Sequence, residues 1–249
     1  MSKITKLLKR HIMENSMQSI ERPLFSPKTL QRENVNGRRL YKMETGEKFV
    51  SITTLLGYFN ASSIQAWRKR VGEKTANEIG KKATTGGTRL HNALECYLEG
   101  VDPSKYLTTE GTKSGFASMT TYLEEHLDEA WYVENMFFSK RLKVAGQADL
   151  IGVLDGVPTV IDFKTSRKFK KREWCQSYFE QATFYAMALY EMAEIPIKDI
   201  AILISVNDGE EFQVYHEKVS SHMGSLYDKV KRYHAAHELS TNEKEETVA

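Results

Sequence analysis

Cysteine is almost missing from this chain: of 249 residues only Cys96 and Cys175 carry a thiol. Two thiols so far apart make neither a CxxC metal site nor a disulfide framework, and they suit a reducing compartment. Long apolar runs are missing as well. No stretch approaches the roughly 18 residues of a membrane span, so no transmembrane segment and no membrane partner is expected. A decisive net charge is lacking too, since 35 basic and 33 acidic residues leave a formal +2 that names no partner. There is no internal repeat, no low-complexity tract and no phosphate-cradling P-loop, so any ATP-driven partner would be a separate protein. What remains is a composition, 41% hydrophobic and 27% charged, that suits a soluble globular protein with one substantial core.

The distribution of charge says more than its sum. Basic residues gather at Lys3 to Arg10, at Arg68 to Arg70 and on to Lys81 and Lys82, at Lys140 to Lys143, and most densely in "RKFKKR", Arg167 to Arg172. Clusters of this kind make a local field on a nearly neutral chain; each taken alone also fits a solvated loop. The opening "MSKITKLLKRH" is basic and somewhat amphipathic, but it lacks the Ser- and Arg-rich length of a transit peptide, and it reads as a basic helix or arm. The tail "STNEKEETVA" is polar and is expected to fray.

Periodicity predicts a coarse order of elements. "ETGE" is a turn signal between two short strand-like runs in "GRRLYKMETGEKFVSITTLL", and the pattern turns helical around Ser51 to Thr54, with Ser51 placed as a cap. A helix is expected over Ser63 to Ile79, a break at "TTGG" (Thr84 to Gly87), and a helix over "TRLHNALECYLEG" that stops at Gly100. Another helix is expected from Phe116 to Ala130. After Trp131, "WYVENMFFSK", "VAGQADLIGVL" and "VPTVIDFKT" read as strands. A long helix comes next in "EWCQSYFEQATFYAMALYEMAE", then two strands, "DIAILISV" and "EFQVYHEKV", and a last helix over Ser221 to His237. Strands, helix, strands predict a mixed sheet with helices packed on it, in a single domain over 1–249. Within it, 1–130 holds the hairpin and a helical portion, 131–240 the mixed-sheet core, and 241–249 a disordered tail.

The chemistry gathers in "GQADLIGVLDGVPTVIDFKTS". Asp149 and Asp162 lie in segments otherwise fit for burial, where a carboxylate is costly unless a cation or hydrogen bonds compensate it. Alternation along a strand places Asp162 and Lys164 on one face and Phe163 on the other. If pairing brings Asp149 alongside, two carboxylates and an ammonium meet. Such a pair calls for a cation, and Mg2+ or Mn2+ with oxygen ligands, including the Phe163 carbonyl, is the natural one. Lys164 would then orient or help deprotonate an attacking water, as metal-assisted phosphodiester hydrolysis requires. The competing reading is a surface salt-bridge cluster on an edge strand.

Asp149, then Asp162 followed by "FKTS", resembles the PD-(D/E)XK nuclease superfamily, and in particular its RecB-like exonuclease branch, which includes mitochondrial genome maintenance and phage exonucleases. Further elements come in the family's order. "GTRLHNALE" resembles the helical motif whose histidine, here His91, helps bind metal, with Glu95 one turn on. Glu134 in "VENMF" resembles the acidic residue of the preceding strand, "AGQADLIG" resembles the family's core strand element, and "QATFY" the QxxxY motif with Gln181 and Tyr185. The resemblance spans about Ser51 to Tyr190.

It implies a restriction-endonuclease-like α/β fold, a mixed β-sheet core flanked by helices with a helical N-terminal portion covering the active site. It also implies metal held by His91, Asp149, Asp162, Phe163 and Glu95, and catalysis by Asp149, Asp162 and Lys164 with Glu134, Gln181 and Tyr185. Relatives with an iron–sulfur cluster carry four ligating cysteines, which this chain lacks, so no cluster is expected. Arg167, Lys168, Lys170 and Lys171 would neutralise phosphates, and Trp174 would stack on a base. The expected function is a metal-dependent DNA exonuclease acting on single-stranded ends, in the cytoplasm of a bacterial or phage-infected cell, with a mitochondrial location left open. Separate replication or recombination proteins would be its partners. A structure-selective or nicking endonuclease, and an inactive nucleic-acid-binding protein, are the alternatives.

Overall fold

A computed structural model describes residues 25–26 and 30–246, with the side chains of the last helix as far as His237. The basic segment Lys3 to Arg10 and residues 247–249 of the polar tail lie outside the described residues. The first strands form a meander: β1 (Gln31–Val35), β2 (Arg38–Lys42) and β3 (Lys48–Ser51), each antiparallel to the next. The β2–β3 turn is the expected "ETGE". The β1–β2 turn is Asn36–Gly37, with φ of 50° and 75° at its two residues. An Asn-Gly pair adopts these positive angles cheaply and matches the twist of a hairpin, so the signal for β1 stood in the sequence.

Ser51 ends β3 and caps the next helix, accepting from the Thr54 amide at 3.0 Å. Helix α1 (Ile52–Val71) is followed at once by α2 (Glu73–Leu98). The break expected at Thr84–Gly87 is absent, and the chain turns at Gly72 instead, where φ is 87° and ψ 144°. Only glycine adopts that conformation readily. Two consecutive glycines, Gly86 and Gly87, lower helix propensity by about 1 kcal/mol each. Burial of Ala76 on one side and of Leu90, Ala93 and Leu94 on the other outweighs that cost and carries the helix through. It ends at Leu98, just before Gly100 with its φ of 73°.

Helix α3 (Glu110–His126) begins and ends before its expected bounds, because β4 (Leu127–Ser139) starts before Trp131. Then come β5 (Val144–Leu154), β6 (Val157–Ser166), a short 3-10 turn, and α4 (Gln176–Ala193). β7 (Asp199–Val206), β8 (Glu211–Lys218) and α5 (Met223–Glu246) complete the fold. All eight strands among the described residues join one mixed sheet in the order β1-β2-β3-β5-β6-β7-β8, with β4 paired to β5. The N-terminal meander therefore extends the core sheet. Among the described residues no helix is long and apolar enough to cross a membrane.

Helices cover both faces. One face carries α1, α4 and α5, packed through Leu55, Phe179, Phe184, Leu226 and Val230 onto Val160, Ile202 and Ile204. The other carries α2 and α3, packed through Leu90, Leu94, Met119 and Leu123 onto Leu150, Ile161, Phe163 and Leu203. Along β6 and β7 the residues alternate between these two cores, which is the period-2 rule of a sheet buried on both faces.

Candidate metal centre

One edge of β5 is shared between two partners. At its start Val144 and Ala145 pair with β3 in parallel, and from Leu150 onward it pairs antiparallel with β6. Residues 146–149 lie between these ladders, where β5 and β6 have parted. The last pair of the β5–β6 ladder is Leu150 with Ile161. One residue further on, the Asp149 carboxylate accepts the Phe163 amide at 2.6 Å, filling the place a strand carbonyl would take. This split is where the ionisable residues meet.

Four elements contribute. β5 supplies Asp149, β6 supplies Asp162 and Lys164, β4 supplies Glu134 and α2 supplies His91. Glu134 lies opposite Asp149 between the paired residues Val133–Leu150 and Asn135–Ala148. Its φ is 49°, unusual for a glutamate within a strand, and its carbonyl accepts from the Gln147 side chain at 2.8 Å. His91 reaches the split from the other side, with Nδ1 3.4 Å from Asp149 and 3.8 Å from Glu134. The Phe163 ring stands edge-on to it, at 6.2 Å between centroids. One ligand atom each from His91, Glu134 and Asp149 lies within 4.8 Å of the others, an arrangement that could hold a metal ion.

Asp162 is 1% exposed and sits in contact with the Lys164 ammonium, yet both its oxygens lack a donor in hydrogen-bonding geometry. The surface-cluster reading thus gives way, because Asp149 and Asp162 are buried and β6 is an interior strand. The expected ligand set also changes. Glu134, taken as a catalytic acid of the neighbouring strand, joins His91 and Asp149, whereas Asp162 stands behind them against Lys164. Its carboxylate faces an ammonium, and that leaves it outside the three-residue group. Glu95, one helical turn from His91, is outside that group as well.

The electrostatics arise from crowding. Burial alone would strip His91 of its proton, but Asp149 and Glu134 reverse this and lift its pKa to about 10. Burial, with Asp149 adding to it, pushes Asp162 up to about 6 despite the ammonium beside it. Burial raises Glu134 as well, against the pull of His91. For Asp149 burial is outweighed by His91, Lys164 and the Phe163 amide, which hold it below the usual carboxylate range. Burial opposes the charge on Lys164, yet Asp162 and Asp149 hold its pKa above that of a free lysine. Tyr178 adds a ring face 5.4 Å from the same ammonium.

A cavity of about 340 Å³ opens onto His91, Glu134, Asp149 and Lys164. Gln181 and Tyr185, four apart on α4, line it as expected and bond to each other at 3.3 Å. A Cβ at Gly146 would come within 2.9 Å of both Tyr185 and Ile52, so only glycine lets the tyrosine close this wall. Arg39, Tyr41, Ser51 and Thr53 also line the cavity, and no motif announced them. They arrive through the parallel pairing of β3 with β5, a long-range contact without a local signature. Of the expected strand-binding residues, Arg167 lines a second, neighbouring cavity. Lys168, Lys170, Lys171 and Trp174 line neither: Lys170 is tied by its backbone to Gln213, and Lys171 lies over the exposed Trp174 ring.

No protein-family model and no curated relative matches the chain. A solved structure described as the crystal structure of SSO0001 is similar over 58% of this chain and 73% of its own, at 15% identity and a TM-score of 0.32. That likeness is too slight to bear on the fold or the site.

Proposed function

We propose that this chain is a metal-dependent phosphodiester hydrolase acting on DNA, an exonuclease working on single-stranded ends. The observation that carries the reading is the meeting of His91, Glu134 and Asp149 beside the Asp162–Lys164 pair at the split between β5 and β6. The donor set fits a hard divalent ion: two crowded carboxylates, Glu134 and Asp149, with one imidazole. Oxygen ligands suit Mg2+, and the imidazole favours Mn2+. Once bound, such an ion polarises a phosphodiester and acidifies water.

The chain's own groups do the rest. His91, Glu134 and Asp149 would hold the ion, and Asp162 anchors Lys164. Asp162 and Asp149 favour the charged form of Lys164 in the ion-free site, which suits it to stabilise charge on the phosphate oxygens and orient water. Gln181 and Tyr185 form the wall against which the reacting phosphate is positioned. The order of the motifs and their resemblance to the RecB-like PD-(D/E)XK nucleases support the same reading, and with it a restriction-endonuclease-like core.

Digestion of end-labelled single- and double-stranded DNA with Mn2+, Mg2+ or EDTA tests it. Cleavage from single-stranded ends is expected with either ion and none in EDTA, with Asp149→Asn inactive. A closed single-stranded circle should survive. Cutting of the circle would move the assignment to an endonuclease, and undiminished cleavage in EDTA would overturn the metal centre.

A further inference from the structure

The second cavity, of about 780 Å³, lies on the α2–α3 face at the carboxyl ends of the parallel strands β6 and β7. Ligands of α/β sheets favour that position. Thr165 and Ser166 border this cavity, while the preceding residue, Lys164, borders the metal centre. The two linings share no residue, but consecutive residues join them twice: Thr165 follows Lys164 on β6, and His91 follows Leu90 on α2.

Helix α2 forms one wall. Ile79, Lys82, Ala83, Gly86, Gly87 and Leu90 recur at helical spacing and all border the cavity, a face that is small at its middle and continues to His91. A Cβ at Gly86 would meet nothing within 4 Å, and one at Gly87 would just touch the Thr165 hydroxyl at 3.5 Å. Lys81, Lys82, Arg89 and Arg167 against Glu78 and Asp208 leave the lining at four minus two, a net +2. Lys82 pairs with Asp208 at 2.9 Å, whereas Lys81, Arg89 and Arg167 have no carboxylate partner among the described residues. Cations without a carboxylate partner, together with hydroxyls, match a phosphate backbone, and a short apolar floor offers the bases a surface without reading them individually. A ligand-sized volume suits one strand, since a duplex needs open surface.

We propose that this groove binds the single DNA strand adjoining the scissile phosphate, with Lys81, Arg89 and Arg167 on its phosphates and the bases over Ile79 and Ala83. The inference rests on the functional reading above, because the groove adjoins that metal centre along β6 and α2.

Binding of a fluorescein-labelled oligothymidylate, followed by anisotropy in Ca2+ across a salt series, tests the groove apart from the chemistry. Lys81→Ala with Arg89→Ala should weaken binding at least tenfold and reduce the log–log salt slope by about 0.7 for each phosphate no longer neutralised. Gly86→Leu fills the groove with a better helix former. It should raise the thermal midpoint while weakening oligothymidylate binding, a pair of effects that misfolding does not produce. Unchanged affinity and slope in both variants, in a protein that cleaves DNA, would overturn the groove and leave the hydrolase reading standing. Groove-dependent binding by a protein that hydrolyses no phosphodiester in Mn2+ would keep the groove and remove the hydrolase.

Discussion

His91 keeps its proton in the ion-free protein because Asp149 and Glu134 surround it, and a metal ion must displace that proton to bind. Its folded pKa of about 10 lies above the ordinary value of 6.5. The resulting stabilisation is full below pH 6.5 and is lost as pH rises through 10. In EDTA, the gap in thermal midpoint between the wild type and His91→Asn should therefore narrow steadily across that window. Over the same range, Mn2+ affinity measured by calorimetry should climb about tenfold per pH unit, one proton leaving per ion bound. Lys164 makes a different prediction. Its ammonium faces Asp162 and the cavity, so Lys164→Ala should lower kcat by about 10²–10³-fold with little change in Mn2+ affinity. Failure to bind the ion at unchanged turnover would give the lysine a structural role instead.

At the scale of elements, the angle between α1 and α2 decides whether His91 arrives at all. Gly72 makes that turn with a backbone conformation that side-chain-bearing residues avoid. Gly72→Ala should cost about 1–3 kcal/mol in urea denaturation, and it should loosen Mn2+ binding although the residue is far from the ion. A variant that is destabilised yet binds Mn2+ normally would show that strand packing alone places the histidine. The glycines misled in the other direction at Gly86 and Gly87, which continue a helix that local propensity would end. Ala76 and Leu94 are buried on either side of them, and packing of that kind outweighs a deficit of about 2 kcal/mol.

For the whole molecule, the metal centre is a place where the ion-free sheet crowds three carboxylates that His91 and Lys164 offset. Glu134 and Asp149 face each other across β4 and β5, and Asp162 is buried behind them. An ion that binds only the folded state stabilises it by mass action, about 2.7 kcal/mol at a hundred times its dissociation constant. Scanning calorimetry should show the thermal midpoint rising with Mn2+ in the wild type and staying flat in Asp149→Asn. The strand and helix order after Trp131, the shared face of Asp162 and Lys164 and the apolar setting of Phe163 were legible in the sequence, because alternation and helical period are local properties of the chain. The cap at Ser51 was legible for the same reason. That Glu134 meets His91 and Asp149, while Asp162 contacts Lys164, was decided by tertiary structure, through the divergence of β5 from β6. So was the entry of Arg39 and Thr53 into the cavity, since parallel pairing of β3 with β5 joins residues as distant in the chain as Val50 and Val144. Periodicity fixes which way a side chain points along its own strand; which strand ends beside which depends on how the helix layers pack the whole sheet, and no local pattern records that.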